Sequence, residues 1–224
     1  MLGVLRKKAD RVLDFWKGSF GYEYTIRNSF SEEISNRRKD SFVVILQDCC
    51  HIRNIIEIGS GSGMNMEALY QLGYSVVGVE PNRYAREGGI FNDGGIFNRF
   101  KNERKKTEWN VVDGDCYNIP YGDNTFDLVL SCGLLIHIPS DGLCEAIMEM
   151  LRVSRKYFLL IEYFDEENEK EIVYRGKKGL LWKRNWEMIM KRFPVILVKR
   201  GFLDIHQGFD NCDYYLYYVL KGEA

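Results

Sequence analysis

The sequence predicts an open α/β fold in which helices cover both faces of a mostly parallel sheet. Between residues 54 and 164, short apolar runs of strand type alternate with segments of helical periodicity, an order typical of parallel sheets. The four prolines, at 81, 120, 139 and 194, all fall at boundaries between these segments. A chain of 224 residues is also long enough to bury a full core.

Each predicted element follows from its local pattern. Apolar spacing predicts an amphipathic helix over 2–16 and a second helix over 32–50, separated by an aromatic segment, 17–29, without a clear period. Strands are predicted at 54–58, 74–80, 109–112, 126–132 and 157–164, with helices at 64–72, 81–87 and 141–152. After an insertion, 165–193, strands at 195–199 and 214–220 with a turn at Gly201 predict an antiparallel hairpin.

These elements divide the chain into an N-terminal helical cap, 1–50, and a second domain, 51–224, that contains the insertion 165–193. A repeated GGIFN, at 88–92 and 94–98, is predicted to be a loop.

Composition excludes several classes of protein. Lys and Arg number 31 against 32 for Asp and Glu, so no global positive field exists to hold nucleic acid. The six cysteines form no Cys-x-x-Cys pair and only three histidines are present, so we expect no metal site. Without a signal-peptide pattern or about 18 consecutive apolar residues, we expect a cytoplasmic protein with reduced thiols.

The strongest local signal is IIEIGSGSG at 55–63, where a strand carrying Glu57 runs into Gly59, Gly61 and Gly63. Glycines let the backbone turn sharply beside a ligand, and open α/β sheets bind ligands at such strand ends. A dinucleotide-binding turn would follow G-x-G-x-x-G. Counted from Gly59, Met64 stands at the third glycine position, so the spacing is E-x-G-x-G-x-G instead.

Several motifs in register resemble class I S-adenosylmethionine-dependent methyltransferases. Besides the glycine loop, they are VVGVEPN at 76–82 and GDCYNIPYGDNTFDLVLSCGLLIHIP at 114–139. The resemblance covers residues 50–165. It implies a Rossmann-like, seven-stranded sheet in the order 3-2-1-4-5-7-6 with the last strand antiparallel, helices on both faces and S-adenosyl-L-methionine as cofactor.

The resemblance also implies cofactor-binding residues. Glu80 would accept hydrogen bonds from the ribose diol, Asp115 from the adenine amino group, and the Cys116 backbone N–H would meet the adenine ring. Ser131 would lie near the methionyl part. The remaining cofactor-binding residues of the loop and the strand ends would be Glu57, Gly59, Ser60, Gly61, Gly63 and Pro81.

Two residues of the 15–28 segment, Tyr24 and Arg27, are expected to cover the cofactor, with Arg27 reaching its carboxylate. The alternative is that the aromatic side chains of this segment only pack the cap onto the sheet. His137, after the fourth strand, is the candidate general base, with Glu162 as second candidate base or substrate ligand. A packing role for His137 and a structural acceptor role for Glu162 are the alternatives.

The segments FWKGSFGYEYTIRN, 15–28, and YRGKKGLLWKRNWE, 174–187, resemble methyltransferases associated with pseudaminic acid and other cell-surface polysaccharide biosynthesis. In that group an acid usually follows Lys-Arg, where this chain has Asn185. The resemblance implies a sugar or sugar nucleotide as acceptor. The substrate-binding side chains of the insertion would be Tyr174, Arg175, Lys183 and Arg184, with Arg175 and Arg184 holding the anionic group of the sugar.

Three alternatives stay open. The 174–187 segment could be a helix with a solvated basic face. The basic run RFKNERKK at 99–106 would suit an RNA-modifying enzyme, and a non-catalytic cofactor-binding protein could keep the same fold.

Overall fold

The computed structural model describes residues 7–87, 110–167 and 169–221. The first residues of the helix predicted at 2–16, the repeated GGIFN and the basic run 99–106 lie outside the described residues.

A seven-stranded sheet forms the centre of the fold. The strands of the described residues are β1 (Asn54–Ile58), β2 (Ser75–Val79), β3 (Asn110–Val112), β4 (Phe126–Cys132), β5 (Ser154–Glu162), β6 (Glu169–Glu171), β7 (Trp182–Arg184), β8 (Val195–Leu203) and β9 (Cys212–Val219). The sheet order is β3-β2-β1-β4-β5-β9-β8. Strands β1 to β5 pair in parallel, and β9 is antiparallel to both β5 and β8. The predicted order 3-2-1-4-5-7-6 is therefore confirmed, since β6 and β7 form a separate hairpin.

Helices lie on both faces of this sheet. They are α1 (Lys7–Lys17), α2 (Ser19–Arg27), α3 (Glu32–Leu46), α4 (Met64–Gln71), α5 (Arg83–Glu87), α6 (Ser140–Val153) and α7 (Trp186–Met190). One apolar cluster joins Val129 and Phe158 of the sheet to Met150 of α6. A second joins Leu128 of the sheet to Phe42 of α3 and other residues. Among the residues that the structure describes, no helix is both long and apolar enough to span a membrane.

The aromatic segment 17–29 is helical, which its sequence did not indicate. Helix α2 follows α1 after Gly18 and buries Phe20 and Gly21. Its aromatic rings meet more than one neighbour, since Trp16 and Tyr24 pack against each other while Tyr22 contacts Tyr84. Because these apolar side chains point in more than one direction, the sequence of α2 lacks the single apolar stripe by which an amphipathic helix is predicted.

The turn predicted at Gly201 is wrong, because Gly201 lies inside β8. A Cβ at this position would lie 2.5 Å from Cε1 of Tyr214 on the neighbouring strand. The glycine therefore permits close packing of an aromatic ring. The chain reverses later, at a 3₁₀ turn, Ile205–Gln207, which the Asp204 side chain caps.

Two segments outside the minimal alternation pack onto the sheet domain. In the insertion, β6 and β7 form an antiparallel hairpin, which we call the arm (residues 169–184). Helix α1 lies against the start of α6, where the backbone N–H of Lys8 donates to Asp141 at 3.0 Å. The division into a cap, 1–50, and a domain, 51–224, stays a prediction.

The contact between α1, α2 and the end of β2 predicts a steric effect at Gly21. A Cβ there would lie 1.9 Å from the Trp16 carbonyl oxygen and 2.4 Å from Nδ2 of Asn82. We expect Gly21→Ala to lower the free energy of unfolding by about 1–3 kcal/mol, as overpacking does. Denaturant unfolding measures this change. Gly122→Ala is the control, since its Cβ would meet only Thr125 Oγ1, at 3.8 Å, and an equal loss in both variants would contradict the prediction.

Candidate functional site

A cavity of about 350 Å³ opens where the carboxyl ends of β1, β2 and β4 meet. Parallel strands place these ends at one edge of the sheet, so residues distant in sequence line the same space. The glycine loop and Glu80 line the cavity together with residues of the arm, the N-terminal helices and the 209–212 segment. The cavity thus joins the predicted cofactor residues to parts of the chain that the strand–helix alternation leaves out.

The glycine loop needs its glycines for conformation. Gly59, Gly61 and Gly63 have φ values of 72°, 52° and 79°, in the left-handed region that side chains disfavour. A Cβ on Gly59 would also lie 3.0 Å from the Leu134 side chain. The loop therefore packs directly on the turn that follows β4.

Glu80 holds this loop and keeps acceptor capacity. One carboxylate oxygen accepts from the Gly61 N–H at 2.9 Å, and the other from the Asn82 N–H at 2.8 Å. Each oxygen of an ionised carboxylate can accept about two hydrogen bonds, so one position per oxygen remains for a ligand with neighbouring hydroxyl groups. Burial raises the pKa of Glu80, while these two N–H groups oppose the rise.

Two buried polar atoms of residues that line the cavity have no hydrogen-bond partner among the described residues. Oε1 of Glu57 accepts from Asn65 at 2.6 Å, but its Oε2 and the Ser60 hydroxyl have no hydrogen-bond partner among the described residues. Burial raises the pKa of Glu57 to about 8. Buried polar groups without partners cost stability, so a ligand that donates hydrogen bonds or carries positive charge fits this end of the cavity.

Other predicted cofactor residues divide into those that line the cavity and those that do not. Pro81, Asp115 and Cys116 line it, with Asp115 accepting from the Tyr117 N–H at 2.9 Å and lying 3.5 Å from Nζ of Lys17. Ser131 is fully buried and donates to Glu162 at 2.7 Å. The structure therefore places Ser131 behind the cavity wall, where Cys132 and Gly133 are exposed to the cavity instead.

The N-terminal helices form one wall of the cavity. Trp16 and Tyr24 line it with their rings in edge contact, 5.2 Å between centroids. Asn82 fixes this wall, since its side-chain amide donates to the Trp16 carbonyl at 2.8 Å. Arg27 does not line the cavity, because its guanidinium lies over Phe20 and 3.7 Å from Glu23.

His137 lines the cavity as a neutral imidazole. Its Nδ1 lies 2.6 Å from the carbonyl oxygen of Leu180, and because a carbonyl only accepts, Nδ1 carries the proton. Nε2 is then unprotonated and can accept a proton. Burial lowers the pKa of His137 to about 4. The ring also packs against Trp16, at 4.5 Å, and Tyr174, at 5.4 Å, between centroids.

Glu162, the second candidate base, does not line the cavity. Its carboxylate is fully buried and accepts from the Ser131 hydroxyl and from the backbone N–H groups of Leu134, Leu135 and Ile136. Burial raises its pKa to about 7, and those donors oppose the rise. This geometry matches the structural acceptor considered as its alternative role.

Of the four predicted substrate-binding residues, two line the cavity and two do not. Tyr174 and Arg175 line the cavity at the tip of the arm, whereas Lys183 and Arg184 do not. The Lys183 ammonium lies over the ring of Tyr163, at 5.7 Å. Arg184 is fully buried, with its guanidinium bonded to Glu169 and to two backbone carbonyls. Its charge therefore acts inside the protein.

Several residues that line the cavity were not predicted from the sequence. Arg38 of α3 donates to Asn65 at 2.9 Å and to the Gly208 carbonyl at 2.8 Å, and it stacks on Phe209. The others are Trp16, Asn65, Asn82, Tyr163, Phe209 and Asp210. Of these, Asn82 could have been found from its place directly after the motif of Glu80 and Pro81. The rest lie in segments where helical or strand pattern carries no ligand signal.

Comparison with known families now adds to this geometry. A methyltransferase-domain family matches residues 56–159, a range that contains the glycine loop, Glu80, Asp115 and His137. Residues 56–159, slightly less than half of the 224-residue chain, thus match a methyltransferase domain.

The methyltransferase domain has relatives of low sequence identity. The sterol 24-C-methyltransferase of Pneumocystis carinii is 24% identical over 95% of this chain, which spans 58% of that protein's length. The 1,6-didemethyltoxoflavin-N1-methyltransferase of Burkholderia thailandensis, solved with S-adenosylhomocysteine, has a TM-score of 0.70 at 11% identity, covering 99% of this chain and 92% of its own. Magnesium protoporphyrin IX methyltransferase from Synechocystis, also solved with S-adenosylhomocysteine, has a TM-score of 0.66 at 13% identity, covering 94% and 99%.

The cavity chemistry fits S-adenosylmethionine as the cofactor of such a domain. The buried carboxyl groups of Glu57 and Glu80 would face its cationic groups, and the free acceptor positions of Glu80 would accept from its ribose diol. Among the described residues, no group of three or more His, Cys, Asp or Glu side chains could hold a metal ion.

Loss of the Glu80 carboxylate should weaken cofactor binding. We expect Glu80→Ala to reduce affinity for S-adenosylmethionine by about 1–3 kcal/mol, roughly tenfold to a hundredfold, because a buried diol would lose its acceptors. Calorimetric titration measures the dissociation constant. Asp123→Ala is the control, since Asp123 is an exposed carboxylate that pairs with Arg152. Unchanged affinity in Glu80→Ala would contradict this assignment.

Proposed function

We propose that this chain transfers a methyl group from S-adenosylmethionine to a small-molecule acceptor, and that His137 takes the acceptor's proton. The observation that carries this proposal is the continuity of one cavity from Gly59 and Glu80 to the His137 imidazole and Tyr174. A cofactor site closed off from any second pocket would instead favour a binding protein.

The chain's own residues would align the acceptor and keep water away. When bound, the cofactor supplies a methyl group on a sulfonium that leaves as a neutral thioether, so no acid is needed for the leaving group. Trp16 and Tyr174 flank the imidazole and limit solvent around it, which supports alignment and dryness. Nε2 of His137 receives the proton of the acceptor as the new bond to carbon forms, and then releases it to solvent.

For the acceptor, we propose a sugar or sugar nucleotide made for a surface glycan, methylated on a hydroxyl group. Support comes from the resemblance of the 15–28 and 174–187 segments and from the cavity's composition. Arg175 stands at the cavity wall with Tyr174, and a cation beside a flat ring suits a sugar that carries a phosphate or carboxylate.

A planar heterocycle is the second candidate acceptor. The cavity lining is rich in aromatic side chains, namely Trp16, Tyr24, Tyr163, Tyr174 and Phe209. Aromatic faces bind flat rings by stacking. Two of the similar structures are named for methylation of ring systems, a toxoflavin precursor and magnesium protoporphyrin IX.

A screen of acceptors tests the function directly. The full chain is incubated with labelled S-adenosylmethionine and separate pools of sugar nucleotides, nitrogen heterocycles, small RNAs and peptides, and products are read by mass spectrometry. We expect label in the sugar-nucleotide pool. Label in the heterocycle pool alone would replace the acceptor, label only in RNA or peptide would end the small-molecule proposal, and cofactor binding without any product would favour a non-catalytic protein.

Arg175 should affect the acceptor more than the cofactor. If a sugar nucleotide is methylated, we expect Arg175→Ala to raise its KM about tenfold, because a charge-assisted hydrogen bond is lost, with cofactor affinity within twofold. Steady-state kinetics separate the two. Lys178→Ala is the control, since Lys178 is exposed on the same arm but does not line the cavity. An equal, small effect of both variants would remove Arg175 from the acceptor site.

A further inference from the structure

The 134–138 turn, which carries His137, is held from two sides by two buried charged side chains. We propose that Glu162 and Arg184 are positioning residues that clamp this turn and thereby fix His137 as the tautomer with Nε2 free toward the cavity. This inference rests on the proposed role of His137 as proton acceptor.

The carboxylate of Glu162 holds the N–H side of the turn. Its Oε1 accepts from Leu134 N at 3.2 Å and Leu135 N at 2.9 Å, and its Oε2 accepts from Ile136 N at 3.2 Å. Three successive N–H groups converging on one carboxylate fix the local backbone. The Ser131 hydroxyl, at 2.7 Å, orients the carboxylate itself.

The guanidinium of Arg184 holds the carbonyl side of the same turn. Nη1 donates to the Leu135 carbonyl at 2.8 Å and Nη2 to the Ile138 carbonyl at 2.7 Å. Nε donates to Glu169 at 2.9 Å, so the arginine is compensated by a carboxylate of the arm. With 0% exposure of its side chain, Arg184 cannot also bind a solvent-borne anion.

The two clamps complement the polarity of the turn. Its N–H groups meet an anion and its carbonyls meet a cation, which satisfies backbone groups that are buried away from water. Removing either partner would leave those groups unpaired, and the turn would then seek another conformation. Since His137 belongs to the turn, its ring orientation depends on both clamps.

The arm also fixes the histidine ring, because its Leu180 carbonyl accepts the hydrogen bond from Nδ1 of His137. The Leu180 carbonyl fixes the Nδ1–H tautomer. Leu180 lies four residues before Arg184, just ahead of β7 in the arm. Arg184 anchors that segment to the turn, so the carbonyl and the imidazole stay in register. Which ring nitrogen of a histidine carries the proton is set by such a partner.

The imidazole has charged and titratable groups near it on several elements. Tyr174 faces it from the arm, Arg184 acts on it from β7, and Glu162 lies across the turn on β5. From α1, the uncharged Trp16 ring packs against it. Burial is the main reason that the pKa of His137 is low, with Arg184 lowering it further. The Leu180 carbonyl opposes both effects and raises the pKa, so loss of Arg184 alone should raise the pKa of His137, whereas loss of the Leu180 contact should lower it.

Histidine tautomers measured by ¹⁵N NMR on the labelled full chain test the proposal without an acceptor. His137→Asn assigns the signal, since the other histidines are only His51 and His206. In the unsubstituted protein at pH 7, we expect a neutral ring protonated at Nδ1. In Arg184→Met we expect a mixture of tautomers and, since Arg184 lowers the pKa of His137, a raised pKa, with a smaller change in Arg184→Lys, which can also serve if the Met variant does not fold.

Matched controls separate positioning from general stability. Arg200→Met removes an exposed arginine that pairs with Glu187, and Glu149→Gln removes a carboxylate that accepts a backbone N–H from Ile119 away from the cavity. Both should leave the His137 signal unchanged, whereas Glu162→Gln should mix the tautomers, because an amide NH₂ would face a backbone N–H. A folded Arg184 variant with the original tautomer and pKa would overturn the proposal.

The kinetic consequence distinguishes this inference from the proposed function. With any acceptor that the screen identifies, Arg184→Met should lower kcat at least tenfold with KM changed less than threefold, since Arg184 does not touch the acceptor. If the screen yields no methyl transfer, the proposed function fails while the tautomer measurement still decides the positioning role.

Discussion

The buried Glu162 carboxylate is the interaction on which the site depends. It ties the end of β5 to Ser131 at the end of β4 and to the turn that follows. That turn carries Leu134, which packs on the Gly59 loop, and His137, which reaches the cavity. The Glu162 carboxylate therefore holds the turn that places Leu134 against the Gly59 loop and His137, the candidate base, at the cavity. Burying a charge is costly unless it is fully hydrogen-bonded, and here backbone N–H groups meet that requirement.

Around this centre, segments outside the sheet close the cavity from two directions. The α1–α2 pair is joined to the end of β2 through Asn82, which bonds to the Trp16 carbonyl, and the arm is joined to the post-β4 turn through Arg184. Trp16 from α1 and Tyr174 from the arm both pack against the His137 ring. Because both segments rest on strand ends that also hold the cofactor residues, acceptor and cofactor sites share one set of supports.

The sequence predicted the sheet well because each strand pattern is local and each glycine or acid marks a strand end. The order of strands, Glu57, the three loop glycines, Glu80 and Asp115 followed from motifs in which spacing and chemistry agree. The partners of side chains distant in sequence did not follow. Arg184 was predicted to bind the anionic group of the substrate, yet its side chain is buried and its carbonyl partners lie about 50 residues earlier. Arg38 and Phe209 were missed for the same reason, since only the tertiary fold brings α3 to the cavity.

Burial favours the neutral form of three titratable groups at or beside this site, Glu57, Glu162 and His137. It raises the pKa of Glu57 to about 8 and of Glu162 to about 7, and it lowers the pKa of His137 to about 4, favouring the neutral form in each case. A cation that enters the cavity beside Glu57 stabilises its ionised form, so binding of a sulfonium cofactor and ionisation of this carboxyl reinforce each other. His137, in contrast, stays neutral at pH 7, and the low pKa that burial causes also makes Nε2 a weak base, because burial disfavours the imidazolium that proton transfer would form. The same low-polarity environment therefore favours the neutral form of both groups, and proton transfer to Nε2 must overcome that preference.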